Sequence, residues 1–220
     1  AVSPLFPHEM DAIRFERLCG MLSRWFNVLP LLDAIERLDK NDLPERAVAI
    51  SFDDGYADNL TVAAPILQRF KLPCTFFVAT AYMNGGCMWN DVISSSLGST
   101  DQTTIDLQGL GLGETDSGLN LKDLDSRRAA IEHVISQVKY LPASRRTAFV
   151  DALAQRAEVV PPRNLMMTPD QVRLLDRKGF CVGAHSSTHP ILARLDGAAT
   201  RHEIETSKRE LENLLGHGIP

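Results

Sequence analysis

The sequence predicts an α/β fold in which a parallel sheet packs against helices. Three short apolar runs, at 46–52, 74–80 and 180–184, have the pattern of strands buried on both faces. Segments with apolar residues at helical spacing lie between and around them. Strands that alternate with helices along a chain form parallel sheets. The length of 220 residues and the hydrophobic content of 44% suit one globular domain with a substantial core.

The N-terminal third is predicted to contain two helices, then a strand, a helix and a second strand. Residues 12–26 form the first helix, with one apolar face made by Phe15, Leu18, Cys19, Leu22 and Phe26. Residues 30–40 form a shorter helix with Pro30 near its start. The strand at 46–52, a helix at 58–70 and the strand at 74–80 follow in that order.

The middle of the chain, 85–162, is interpreted as a helical and irregular insertion within a single domain at 1–220. A loop that contains the sequence MWND leads into a short helix, and 98–124 is irregular because it is rich in Gly, Ser, Thr and Asp. Two helices follow, with apolar faces made by Ala130, Ile131, Val134, Ile135 and Val138, and by Phe149, Ala152 and Leu153. The pattern leaves open whether 98–162 is a lid, a partner surface or bulk.

The C-terminal part is predicted to be helix, strand and helix. Thr168 is suited to be an N-cap with Pro169 in the first helical position, and Gly179 ends that helix before the strand at 180–184. A last helix runs over 198–215 and is capped by Gly216. Its inward residues are predicted to be Ile204, Leu211 and Leu215.

Charge and cysteine content exclude few functions. The net charge of −5 argues against a nucleic-acid partner, which usually requires a basic face. No apolar run is long enough for a transmembrane helix, and no signal peptide is visible. The four cysteines form no CxxC pair and are interpreted as free thiols. The first and last residues have the pattern of interrupted structural elements, so we expect a fragment truncated at both ends. The expected compartment is the cytoplasm or the periplasm.

Two of the predicted strand ends carry residues suited to chemistry. Asp53 and Asp54 follow the strand at 46–52, and His185 and His189 follow the strand at 180–184. In parallel α/β folds, functional sites gather at the carboxyl ends of the strands. Pro190 biases His189 away from helical backbone, so the two imidazoles are expected to converge across a turn.

A divalent metal explains why two carboxylates stand side by side. Adjacent carboxylates repel and one pKa rises, unless a cation offsets one charge and leaves the other as a base. Two histidines and one aspartate form a common open zinc site with a free position for water or substrate. Cobalt, nickel, iron or manganese suit the same ligands. Taken singly, the aspartate pair also fits a helix N-cap or a solvated turn.

Two sequence motifs resemble those of a known family. SFDDGY at 51–56 and HSSTHP at 185–190 resemble the first two motifs of the polysaccharide deacetylases, the nodulation-protein-like enzymes of carbohydrate esterase family 4. Ser51 stands where the family usually has Thr. The segment that leads into and includes the second motif, 168–190, also resembles the corresponding segment of the family. The helix at 14–38 and MWND at 88–91 resemble the bacterial exopolysaccharide-associated branch.

The resemblance implies a distorted, incomplete (β/α) barrel with fewer than eight strands and a metal-dependent hydrolase. It implies Asp53 as general base and Asp54, His185 and His189 as metal ligands, with zinc favoured. The substrate would be an acetylated polysaccharide or oligosaccharide that loses acetate from N-acetyl or O-acetyl groups. The aromatic side chains of Tyr56 and Trp89 are candidates for stacking on a sugar face.

The chain departs from the family pattern in two respects. The third motif and the histidine that protonates the leaving amine are not found, and the remaining histidines, His8, His133, His202 and His217, match no family position for that acid. Unpaired edges of an incomplete barrel also favour association with a second copy.

Two other functions remain open from the sequence. An amidohydrolase acting on a small amide would have a closed pocket at the metal instead of an extended groove. A non-catalytic carbohydrate-binding remnant fits the missing acid, although all four motif residues are present. A structural metal site is disfavoured because such sites usually have four protein ligands.

Overall fold

Eight α-helices and seven short strands are formed by the residues that the computed structural model describes, 4–112 and 118–220. The helices are α1 Ala12–Trp25, α2 Leu31–Asp39, α3 Ala64–Phe70, α4 Trp89–Ser99, α5 Leu124–Val138, α6 Ala143–Arg156, α7 Pro169–Arg177 and α8 Gly197–Leu215. The strands are β1 Asn27–Val28, β2 Ala47–Val48, β3 Ser51–Phe52, β4 Thr75–Val78, β5 Thr104–Ile105, β6 Leu119–Asn120 and β7 Cys181–Ala184. The α/β class predicted from the sequence is confirmed.

The chain divides into two compact units. The sheet unit comprises Met10–Gly86 and Asn164–Pro220, and the helical unit comprises Cys87–Arg163 with the residues before Met10. The description of 1–220 as a single domain with an insertion at 85–162 stays a prediction.

A three-stranded parallel sheet organises the sheet unit. Its strand order is β3-β4-β7, so β4 pairs with both neighbours. Phe76 in β4 is fully buried and lies opposite Phe52 in β3 and Val182 in β7. The Phe76 ring stacks on Phe52 at 5.4 Å between centroids and meets Phe180 edge-on at 5.3 Å. Aromatic pairs in these geometries contribute beyond the area that they bury.

The prediction of one strand at 46–52, buried on both faces, is wrong in two respects. The strand is interrupted, and its residues are only partly buried. Ala47–Val48 pairs in parallel with β1, whereas Ser51–Phe52 pairs with β4. Ala49 and Ser51 are exposed, while Ile50 and Phe52 are half-buried and pack against the core. Among the described residues β3 pairs with β4 alone, and Ser51 on one of its faces is exposed. A small residue such as alanine satisfies an apolar pattern without being buried.

Capping residues fix the helices that flank β7. The Thr168 hydroxyl accepts from the Gln171 N–H and the Gln171 side chain accepts from the Thr168 N–H, so the predicted N-cap at Thr168 is a full capping box. Helix α8 ends at Gly216 in the left-handed conformation, as predicted. Leu211 is fully buried as predicted, but Ile204 is 47% exposed, so its predicted inward position is wrong. Nothing in the sheet unit covers that side of α8.

The helical unit has a core of its own. Helices α4, α5 and α6 surround it, and the predicted apolar faces of α5 and α6 contribute Ile131, Val134 and Leu153. The stretch predicted as irregular includes an antiparallel pair, β5 with β6. Residues 113–117 of that stretch lie outside the described residues.

The chain leaves the sheet unit at Gly86 and re-enters it at Asn164, and these two points are tied together. The Gly86 carbonyl accepts hydrogen bonds from the backbone N–H groups of Leu165 and Met166, both at 3.1 Å. The segment 87–163 therefore leaves the sheet unit and returns to it at one place.

The parallel strands form no closed barrel within the described residues. Among the helices of residues 4–112 and 118–220, none is both long and apolar enough to cross a membrane.

Candidate metal centre

The three side chains predicted as metal ligands lie together in the sheet unit. Asp54 Oδ1 is 3.4 Å from His185 Nε2 and 3.2 Å from His189 Nε2. The two imidazole rings are 5.0 Å apart between centroids, and one ligand atom from each of the three residues lies within 4.8 Å of the others. The sequence prediction that the two strand ends converge is thus confirmed.

These separations fit a shared cation. Zinc lies about 2.0–2.1 Å from histidine nitrogen and carboxylate oxygen, so two ligands of a tetrahedral site are about 3.3 Å apart. The two distances from Asp54 Oδ1, 3.4 and 3.2 Å, match that value. A charge-assisted hydrogen bond between the same groups would be shorter, at about 2.7–2.9 Å. The three donors are also of the types that zinc and the later first-row metals accept.

The end of β4 positions both ligand-bearing loops. Asp54 follows β3 and His185 follows β7, and each of these strands is one strand spacing of about 4.8 Å from β4. The Ala79 N–H donates to the Asp54 carbonyl at 3.1 Å, and the His185 N–H donates to the Val78 carbonyl at 3.0 Å. The two ligands therefore reach across the end of the central strand from opposite sides.

Asp54 occupies a tight and strained turn. Its φ is +72°, and the Gly55 N–H donates to the Asp53 carbonyl at 2.9 Å, which is the hydrogen bond of a γ-turn with positive φ. Gly55 continues the left-handed backbone at φ +88°, and a Cβ at that position would lie 2.9 Å from Val78 Cγ1. Only glycine fits there. The Gly55 carbonyl accepts from the Met167 N–H at 2.9 Å, which fixes the far side of the turn.

The loop between the two histidines is also held in an unusual backbone conformation. Ser186 and His189 have φ values of +57° and +52°. Glu203 on α8 accepts hydrogen bonds from the backbone N–H groups of Ser187 and Thr188 and from the Thr188 hydroxyl. Sequence reasoning missed Glu203, because a glutamate on a helix after the motif has no distinguishing local pattern.

The ligands are partly open to solvent. The side chains of Asp54, His185 and His189 are 27%, 34% and 38% exposed. A cation bound by them would therefore keep a face from which a substrate can approach. That openness is typical of catalytic rather than structural zinc sites.

The remaining predicted site residues lie in different surroundings. Asp53 is exposed and immediately precedes Asp54, while Tyr56 is half-buried and its backbone forms an isolated antiparallel bridge with Met166. Trp89 belongs to the helical unit, where the Arg146 guanidinium lies 5.1 Å from its ring centroid. One face of the Trp89 ring is therefore covered. The catalytic role of Asp53 and the sugar contacts of Tyr56 and Trp89 stay predictions.

Three solved structures with a similar fold are described as deacetylases. The Streptococcus pyogenes deacetylase PplD in complex with acetate aligns with 100% of this chain at 16% identity and a TM-score of 0.55. The BpsB deacetylase domain from Bordetella bronchiseptica aligns with 100% of the chain at 16% identity and a TM-score of 0.52. A de-N-acetylase from Aggregatibacter actinomycetemcomitans aligns with 99% at 17% identity and a TM-score of 0.50. The chain spans 66% of the length of PplD and 70% of each of the other two.

At these identities the structural likeness establishes the fold, and the sequence itself establishes the family. No curated protein matches the chain significantly. The family model for polysaccharide deacetylase matches residues 40–103 and 122–220, which is more than half of the chain and includes both motifs. The chain therefore belongs to the polysaccharide deacetylase family.

Proposed function

We propose that this chain is a metal-dependent deacetylase that hydrolyses acetyl groups from N-acetylhexosamine units of a polysaccharide and releases acetate. The observation that carries the proposal is the placement of Asp54 Oδ1 between two histidine nitrogens at 3.2 and 3.4 Å, next to a second carboxylate. The similar structures include a deacetylase in complex with acetate and a de-N-acetylase, which supports acetate release and an N-acetyl group as the substrate. We further propose that the two parallel sheets are parts of an incomplete (β/α) barrel.

In the proposed reaction, Asp54, His185 and His189 hold the divalent cation, with zinc favoured. A cation bound there supplies Lewis-acid polarisation of the acetyl oxygen, which an unreactive amide requires. Asp53 accepts the proton of the attacking water, for which its exposed carboxylate beside Asp54 is suited.

Two variants separate binding of the cation from proton transfer. Asp54→Ala removes the shared ligand and is expected to eliminate both bound metal and acetate release. Asp53→Asn keeps the shape of the side chain without its basic oxygen, so it is expected to retain metal and lower the rate by about 10²–10⁴-fold. Asp33→Asn is the matched control, because Asp33 is an exposed aspartate on α2.

Metal content is measured by elemental analysis after dialysis, and acetate release is measured on N-acetylglucosamine oligomers. The proposal requires about one divalent ion per chain. Loss of metal in Asp53→Asn would contradict the division of roles between the two aspartates. Acetate release by a native chain that holds no metal would contradict metal dependence.

A further inference from the structure

The loop that joins the two histidine ligands is held by a single carboxylate on α8. Glu203 Oε2 accepts from the Ser187 N–H at 2.9 Å and from the Thr188 N–H at 2.8 Å. Glu203 Oε1 accepts from the Thr188 hydroxyl at 2.7 Å. Two N–H donors on one oxygen and a hydroxyl on the other fix both the position and the plane of the carboxylate relative to the loop.

The opposite side of the loop is bound through its carbonyl groups. The Thr80 and Ala81 N–H groups, just after β4, donate to the Ser186 and Ser187 carbonyls at 3.3 and 3.0 Å. The Tyr82 hydroxyl donates to the Thr188 carbonyl at 3.4 Å. In these three hydrogen bonds the loop contributes only carbonyl acceptors and no N–H donor. Glu203 is therefore the partner that satisfies the Ser187 and Thr188 N–H groups.

The conformation of this loop needs such support. Ser186 and His189 both lie in the left-handed backbone region, which residues with a Cβ adopt only when the surroundings hold them there. His189 directly follows Thr188, which donates two of the three hydrogen bonds that Glu203 accepts. A relaxed loop would rotate the His189 imidazole away from Asp54.

We propose that Glu203 is a positioning residue that holds the His185–His189 loop in its metal-binding conformation. The inference rests on the proposed metal site and assigns to it a residue that touches neither the cation nor the substrate. Partners that orient metal ligands without binding the metal typically change its affinity by about 10–100-fold.

Glu203→Ala and Glu203→Gln are expected to differ. Alanine leaves both N–H groups without a partner, so the affinity for Zn²⁺ is expected to fall by about tenfold or more. Glutamine can place its amide oxygen where Oε2 lies and donate its amide N–H to the Thr188 hydroxyl, which restores all three contacts. Its affinity is expected to stay within about threefold of the native value. Glu210→Ala removes an exposed glutamate from the same helix and is the matched control.

Three measurements separate positioning from folding. The Zn²⁺ dissociation constant is determined by competition with a chromophoric chelator, the Co²⁺ absorption spectrum reports ligand geometry, and the melting temperature of the metal-free protein reports stability. The inference expects weaker Zn²⁺ binding and an altered Co²⁺ spectrum in Glu203→Ala, with near-native values in Glu203→Gln and Glu210→Ala.

Two results would overturn the inference, and they are distinguishable. If Glu203→Ala binds Zn²⁺ within about twofold of the native chain and keeps the Co²⁺ spectrum, Glu203 is merely structural, whatever its melting temperature. The proposed metal site then stands. If the native chain and Glu210→Ala also bind no Zn²⁺, the proposed function fails and the role of Glu203 fails with it.

Discussion

Replacing Gly55 by alanine is expected to destabilise the turn that carries Asp54, by an amount that follows from two separate costs. The left-handed backbone at φ +88° costs an alanine about 1–2 kcal/mol. The added Cβ would also lie 2.9 Å from Val78 Cγ1, and Val78 is almost fully buried and cannot move freely. Forcing an extra carbon into packed surroundings costs about 1–3 kcal/mol. The expected loss in free energy of unfolding is therefore about 2–5 kcal/mol.

Urea denaturation of four variants, Gly55→Ala, Gly179→Ala, Val78→Ala and the Gly55→Ala/Val78→Ala double variant, resolves these two costs. Gly179 has a similar φ of +84°, and nothing lies within 4 Å of its built Cβ, so Gly179→Ala measures the backbone cost alone. Adding Val78→Ala to Gly55→Ala removes the collision, so the double variant is expected to lose less than the sum of the single variants. Equal losses for Gly55→Ala and Gly179→Ala, with simple additivity in the double variant, would refute the steric argument.

Two further predictions concern titratable groups in the sheet unit. The hydrogen bond to the Gly218 carbonyl, and then the contact of Nε2 with Asp176 at 3.0 Å, raise the pKa of His217. A raised folded-state pKa stabilises the protein below the unfolded value of about 6.5, and the effect disappears as pH rises through the folded value. His217→Asn is thus expected to lower the melting temperature at about pH 5.5 and to leave it unchanged at about pH 9, and equal effects at both would contradict this. Burial raises the pKa of the Cys74 thiol to about 12. Iodoacetamide at about pH 8 is expected to modify Cys74 in urea but not in the native protein, as measured by peptide mass spectrometry.

The sequence was most informative where the backbone itself dictates the structure. Thr168 and Pro169 begin α7 because a hydroxyl acceptor followed by proline suits the first helical turn, and Gly216 ends α8 because glycine tolerates the left-handed cap. The convergence of Asp54 with His185 could also be predicted, since the carboxyl ends of the strands of one parallel sheet lie along one edge.

Features that depend on distant parts of the chain could not be predicted. Ala49 and Ile204 satisfy an apolar pattern, but they are exposed because none of the elements that the structure describes covers them. Glu203 has the appearance of a solvated helix residue, and only the packing of α8 beside β7 brings it to the histidine loop. Periodicity records which side chains are apolar, and tertiary packing decides which of them are buried.

The hydrogen bonds at the Gly86 carbonyl affect how freely the length of the segment between Gly86 and Asn164 can vary. Because the Leu165 and Met166 N–H groups donate to the Gly86 carbonyl, the chain returns to the sheet unit at the residue from which it left. Each doubling of a connecting segment adds only about 0.6 kcal/mol of closure entropy. We therefore expect that segments of very different length can be exchanged between these two points at little cost in the free energy of unfolding of the sheet unit.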